Sequence, residues 1–146
     1  MQLFRCFVYL LSAAWVLSAG LYDVAVESSS RKTANGQTVS YQLYYPVSPA
    51  LNQKLPAVVL THGFGRNPSF HENNARYLAA RGIVVMTPEM TSLFGTDGQD
   101  RNIANTVGHV TWLGERTRTQ GDVLFGLLDL NKIALAGHSA GGAVSF

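Results

Sequence analysis

In the run Ile133-Ala-Leu-Ala-Gly137-His138-Ser139-Ala140-Gly141-Gly142, a serine stands between two glycines in the spacing G-x-S-x-G, directly after a short apolar stretch. A serine hydroxyl is a weak nucleophile unless the backbone lifts it clear of its surroundings and a base takes its proton. A sharp turn from a buried strand into a helix achieves the first of these, and such a turn closes only where the flanking residues are small. Gly137 and Gly141 occupy those places. The helix expected to begin at Ala140 would also turn free N–H groups and the positive end of its dipole toward the site, which favours a developing oxyanion. Ser139 is thus the candidate nucleophile of an acyl transfer, with His138 beside it in the turn and the amide of Ala140 as one candidate oxyanion donor.

A second element stands upstream. Thr61-His62-Gly63-Phe64-Gly65 follows the apolar run Ala57-Val58-Val59-Leu60. A glycine-rich turn at that point would aim the amide of Phe64 into the same pocket as the amide of Ala140, completing a two-donor oxyanion hole in which His62, Gly63 and Gly65 shape the turn. The loss of one such donor typically costs on the order of 3 kcal/mol of transition-state stabilisation.

These motifs need a scaffold that brings two strand ends together. Three short unbroken apolar runs, Ala57–Leu60, Ile83–Met86 and Ile133–Ala136, read as strands of a parallel sheet covered on both faces. Before them, Val39, Tyr41, Leu43 and Tyr45 alternate with Ser40, Gln42 and Tyr44, the period of a half-buried strand ended by Pro46 and Pro49. Ser28 to Gly36 is polar and carries Asn35-Gly36, which reads as a hairpin turn. Ser69 followed by Glu72 forms a capping box, and a helix is expected from there to Gly82. Ile103, Val107 and Val110 share one helical face after Asp100. Val123, Leu124, Leu127 and Leu128 share another, with Gly114 and Gly121 dividing the two helices. Alternating strands and helices with right-handed crossovers make an α/β domain with a mainly parallel sheet and flanking helices.

From Val39 onward the chain resembles the α/β-hydrolases, within them the single-domain esterases that include bacterial polyester hydrolases, chlorophyllases, dienelactone hydrolases and platelet-activating-factor acetylhydrolases. The resemblance rests on His62-Gly63-Phe64-Gly65, on Gly82-Ile-Val-Val-Met-Thr-Pro88 and on Gly137-His-Ser-Ala-Gly-Gly142. It implies an α/β-hydrolase fold that stops after the nucleophile elbow, Ser139 as the acylated residue, backbone N–H groups of Phe64 and Ala140 on the oxyanion, and Phe64 lining the acyl pocket. In that family an acid and then a histidine follow the nucleophile in chain order, whereas seven residues follow Ser139 here. His62 belongs to the oxyanion turn, His138 is turned away by the elbow, and His71 and His109 fall on expected helices. The chain therefore reads as the N-terminal portion of a longer serine esterase that is inactive without the rest. The alternative is a non-catalytic α/β-hydrolase-like protein, a pseudoenzyme or truncated product.

Composition narrows the remaining classes. The formal charge is +2, and Arg31, Lys32, Arg66, Arg76, Arg81, Arg116 and Arg118 are scattered, so nucleic acid is not an expected partner. His71-Glu72 begins like a zinc-protease helix but lacks the second histidine. No phosphate-binding loop follows a strand, and Gly63-Phe-Gly65 is too short for a dinucleotide fingerprint. Neither metal nor cofactor is expected. Asp97 and Asp100 read as loop and helix-cap residues.

Residues 1–20 carry one charge, Arg5, and an apolar stretch from Cys6 to Leu17 that ends in Ser18-Ala19-Gly20. That is the pattern of a signal peptide, leaving 21–146 as part of one α/β-hydrolase domain without cysteine. Secretion or periplasmic export follows, with no stable membrane span after cleavage. Anchoring by an uncleaved N-terminal segment is the alternative. The expected partners are small-molecule, lipid or polymer esters.

Overall fold

A computed structural model of the protein describes residues 21–91 and 98–145; the leader assigned to 1–20, Asp97 and the terminal Phe146 lie outside the described residues. The strands are β1 (Val24–Lys32), β2 (Thr38–Pro46), β3 (Leu55–Thr61), β4 (Val84–Pro88) and β5 (Leu128–Gly137). The helices are α1 (Glu72–Ala79), α2 (Gly98–Arg116) and the short α3 (Ala140–Ala143).

The strands form one sheet in the order β1-β2-β4-β3-β5. β2 runs antiparallel to both β1 and β4, while β3 is parallel to β4 and to β5. β2 is therefore the one reversed strand among the five. The connection between β1 and β2 is a short turn, which permits only an antiparallel pair, whereas β3, β4 and β5 are linked through α1 and α2, the crossovers that parallel pairing requires.

Each face of the sheet has its own core. One holds Leu43, Leu55, Val59, Met86, Leu113 and Leu124, with Val110 and Trp112 of α2 packed on it. The other holds Tyr44, Val58, Ala75, Ala79 and Val85 under α1. This two-sided cover explains the short apolar runs, because β3 and β4 have no wet face. It also corrects the reading of β2 as half-buried: Tyr44, assigned to the solvent side, is 1% exposed because α1 covers that side.

Three local assignments differ from the sequence reading. Ser28–Lys32 is strand, paired with Gln42–Thr38, and the turn is confined to residues 33–37, where Gly36 takes φ +81°. The serines are exposed on an outer strand whose stability comes from its ladder, so no apolar pattern marks it. Ser69 is not a helix cap. The side chain of Asn67 accepts from the Ser69 N–H at 3.0 Å and starts a 3₁₀ turn over Pro68–His71, while Glu72 pairs with Arg76 at 2.8 Å. Helix α1 then runs to Ala79, with Gly82 at φ +84° closing the exit as expected. Finally, Val123–Leu128 is not a helix. Gly121 and Gly126 both adopt positive φ, and Asp122 Oδ1 accepts from the Leu124 N–H at 2.8 Å, so the segment turns, buries Leu124 and enters β5 at Leu128. Gly114 divides nothing; it is buried within α2.

A polar network ties α2 to the hairpin. Arg116 makes a paired contact with Glu27 at 2.8 and 2.9 Å, bonds Asp122 at 2.7 Å and lies 5.0 Å from the Trp112 ring centre. The buried His109 accepts from Arg31 Nη1 at 2.9 Å, since a guanidinium has only protons to give. Burial, with the Arg31 charge beside it, holds the His109 imidazole well below its ordinary value, at about 4. The unfolded chain takes up that proton near 6.5 and the folded chain only near 4, so this contribution to stability is present above pH 6.5 and is lost as the pH falls through the window. A loss on the order of 3 kcal/mol is expected between those limits. His109→Leu should flatten that part of the stability profile in urea titrations, and an unchanged slope would show that another group is responsible. Glu27 acts at lower pH. Burial pushes its carboxyl up, but hydrogen bonds from Arg116 and Tyr41 and the charge of Arg116 outweigh this and hold it below the ordinary carboxylate range.

Candidate active site

Strands β3 and β5 are neighbours and end level with each other, Thr61 opposite Gly137, with the His138 N–H donating to the Thr61 carbonyl at 3.1 Å. The two motifs read from the sequence thus meet at the carboxyl ends of adjacent parallel strands, where open α/β sheets place their sites.

Ser139 is exposed and has φ 53° and ψ −120°, a conformation that L residues rarely adopt and that costs on the order of 1–3 kcal/mol. The sharp reversal places the start of α3 against the end of β3. Its steric requirement is visible at both glycines. A Cβ on Gly137 would lie 2.3 Å from the Gly141 carbonyl carbon, and one on Gly141 would lie 2.2 Å from the Thr61 oxygen and 2.4 Å from the His62 oxygen. All of these are backbone atoms, which no side-chain rotation can move aside.

The upstream turn abuts the elbow. A Cβ on Gly63 would stand 3.3 Å from Ser139 Cβ and 3.0 Å from His138 Nδ1, so the two motifs are in van der Waals contact. Gly65 takes φ +67°, and Phe64 between the glycines is 58% exposed at the rim. Ala140 opens α3 on the other side. Beside these residues lies a cleft of about 340 Å³ lined by His62, Gly63, Arg66, Phe70, His71, Asn74 and His138.

The described histidines are committed elsewhere or carry no bond to the serine. His62 is buried, with Nδ1 2.8 Å from the Gly63 carbonyl and Nε2 2.9 Å from Glu89 Oε1 and 3.1 Å from the Met90 N. Both ring nitrogens are occupied. His109 sits in the Arg31 network. His71 is buried at the end of the 3₁₀ turn, and burial holds its imidazole below the ordinary range against an opposing pull from the Thr61 carbonyl. Among the described residues no histidine hydrogen-bonds the Ser139 hydroxyl.

One residue of the site escaped the sequence reading. Glu89 directly follows β4, at the same sheet edge, and its carboxylate reaches the buried ring of His62. The only sequence signal was an acidic residue immediately after a buried strand.

Strand order, the reversed β2 and the sharp turn at Ser139 after β5 define the class: this is the part of the α/β-hydrolase fold that runs through that turn. Residues 14–146 match the Chlorophyllase family, and the chain belongs to it. It is similar to Chlorophyllase-2 of Arabidopsis thaliana, at 30% identity over 101 residues. That match covers 68% of this chain and 30% of the relative, so the chain spans well under half of that protein's length. No helix among the described residues is long and apolar enough to cross a membrane.

Proposed function

We propose that the protein is a serine hydrolase of carboxylic esters that works through an acyl-enzyme on Ser139. The Ser139 oxygen attacks the ester carbonyl, its proton passes to a base, and the negative oxygen of the tetrahedral species rests on the N–H groups of Phe64 and Ala140. Collapse expels the alcohol and leaves the acyl group on Ser139. Water then adds to the acyl carbonyl, and the acid departs as the serine recovers its proton. His62 and His109 are held by other partners, and no described histidine hydrogen-bonds the Ser139 hydroxyl, so the base and its orienting acid are proposed to lie outside the described residues. Family membership supports an ester as substrate. An export signal over residues 1–20 would direct the enzyme to extracellular or periplasmic small-molecule, lipid or polymer esters.

The observation that carries this reading is the combination of φ 53° and ψ −120° at an exposed Ser139, at the junction of β5 and α3 and in contact with the Gly63 turn. Backbone strain at a solvent-facing residue has no stabilising return, and here it raises one hydroxyl beside the Gly63 turn. The test is a fluorophosphonate probe applied to the folded full-length protein at neutral pH, followed by mass spectrometry of the labelled peptide, with p-nitrophenyl ester hydrolysis in parallel. Stoichiometric label on Ser139 is expected. Folded protein that takes up no label would favour the non-catalytic alternative.

A further inference from the structure

We propose that Glu89 is a positioning residue for the oxyanion turn, acting on the Phe64 N–H through the ring of His62; this deepens the esterase reading and rests on it for its catalytic consequence. The Gly63 carbonyl and the Phe64 N–H belong to one planar peptide unit, in which they point in opposite directions. Whatever fixes the carbonyl therefore fixes the direction of the amide proton. The Gly63 oxygen accepts from the Arg66 N–H at 3.2 Å and faces His62 Nδ1 at 2.8 Å. A carbonyl only accepts, so Nδ1 carries a proton and donates it.

The ring must then be held from its far side, and Nε2 is where that happens. Glu89 Oε1 lies 2.9 Å away and the Met90 N–H approaches the same atom at 3.1 Å. These two demand opposite things: the carboxylate needs a proton on Nε2, and the amide needs a lone pair. His62 is 4% exposed, so Glu89 and the Met90 amide are the far-side partners that hold its ring. Glu89 is more open, with 39% of its side chain exposed, and it comes from the end of β4. The chain Glu89–His62–Gly63 thus links the end of β4 to a turn at the end of β3. Without the carboxylate, the ring keeps only the Met90 amide on its far side, so its position, and with it the direction of the Nδ1 bond to the Gly63 oxygen, loses one of two anchors while the Arg66 N–H still holds that oxygen.

The experiment uses the full-length protein with Glu89→Ala and Glu89→Gln. Imidazole ¹⁵N spectra report the His62 ring, the Phe64 amide resonance reports the turn, and steady-state hydrolysis of a p-nitrophenyl ester reports catalysis. In Glu89→Ala the His62 nitrogens and the Phe64 amide should both shift. kcat should fall about tenfold, less than the loss of a whole oxyanion donor, with KM changed by no more than about twofold. Glu89→Gln, which keeps an acceptor for an Nε2 proton, should recover most of the loss. Unmoved His62 and Phe64 resonances in folded Glu89→Ala would overturn the coupling, and shifted resonances with unchanged kcat would overturn its catalytic role. A wild-type protein that neither labels nor turns over would sink the esterase reading instead, while the spectra would still decide whether Glu89 controls the turn.

Discussion

Ser139→Ala is expected to reduce ester hydrolysis on the order of 10⁴-fold or more and to eliminate fluorophosphonate labelling, while the protein stays folded. On the acyl-enzyme proposal the magnitude follows from what the substitution removes, the atom that would form the covalent bond. What is left is an oxyanion site able only to bind and orient a substrate that water attacks slowly. A companion variant separates chemistry from backbone strain. Ser139 sits at φ 53°, so Ser139→Gly should be equally inactive yet more stable, by about 1 kcal/mol, because glycine adopts this conformation without steric cost. Equilibrium denaturation of the wild type and both variants tests this. If Ser139→Gly gains no stability, the strain assigned to the elbow is absent. If Ser139→Ala keeps its activity, the nucleophile lies elsewhere.

The largest effect on stability is expected at Gly141. A methyl group there would stand 2.2 Å from the Thr61 oxygen and 2.4 Å from the His62 oxygen, both backbone atoms at the end of a central strand. Neither side can yield by a side-chain rotation, so Gly141→Ala must pull α3 away from β3. The expected cost is about 3 kcal/mol or more, together with loss of the probe-reactive serine, since the same displacement separates the elbow from the Gly63 turn. Gly65→Ala is the informative control. It has positive φ but nothing within 4 Å of its added methyl, so only backbone strain of about 1 kcal/mol should appear. Thermal melts of the two variants should therefore differ clearly, and equal melting temperatures would show that the packing of the elbow is looser than these contacts imply.

Parts of this fold are written locally. β3 and β4 are short apolar runs bounded by proline or glycine, and burial on both faces removes any need for alternation, so they stand out in the sequence. The elbow does so in part: the clash at Gly137 is with Gly141 and Gly142, close neighbours in the chain, whereas that at Gly141 is with Thr61 and His62 and depends on strand order. β1 was partly hidden, since an outer strand with a wet face is held by its hydrogen-bond ladder and tolerates a run of serines. The segment Val123–Leu128 misled in the other direction. Its apolar spacing suits a helix, but Gly121, Gly126 and the side-chain bond of Asp122 offer the backbone a better set of turns.

The amino-acid sequence by itself determined that a serine flanked by glycines follows one buried strand, that a His-Gly-Phe-Gly turn follows another, and that the two belong to an α/β sheet. Only the tertiary structure decided that Glu89, 27 residues from His62, occupies one of its ring nitrogens, and that His109 is taken by Arg31 across 78 residues. The physical reason is range. Sterics and periodicity act over a few residues and can be read along the chain. Which side chains share a hydrogen bond depends on strand order, and β4 lies beside β3 only because the crossover through α1 returns the chain there.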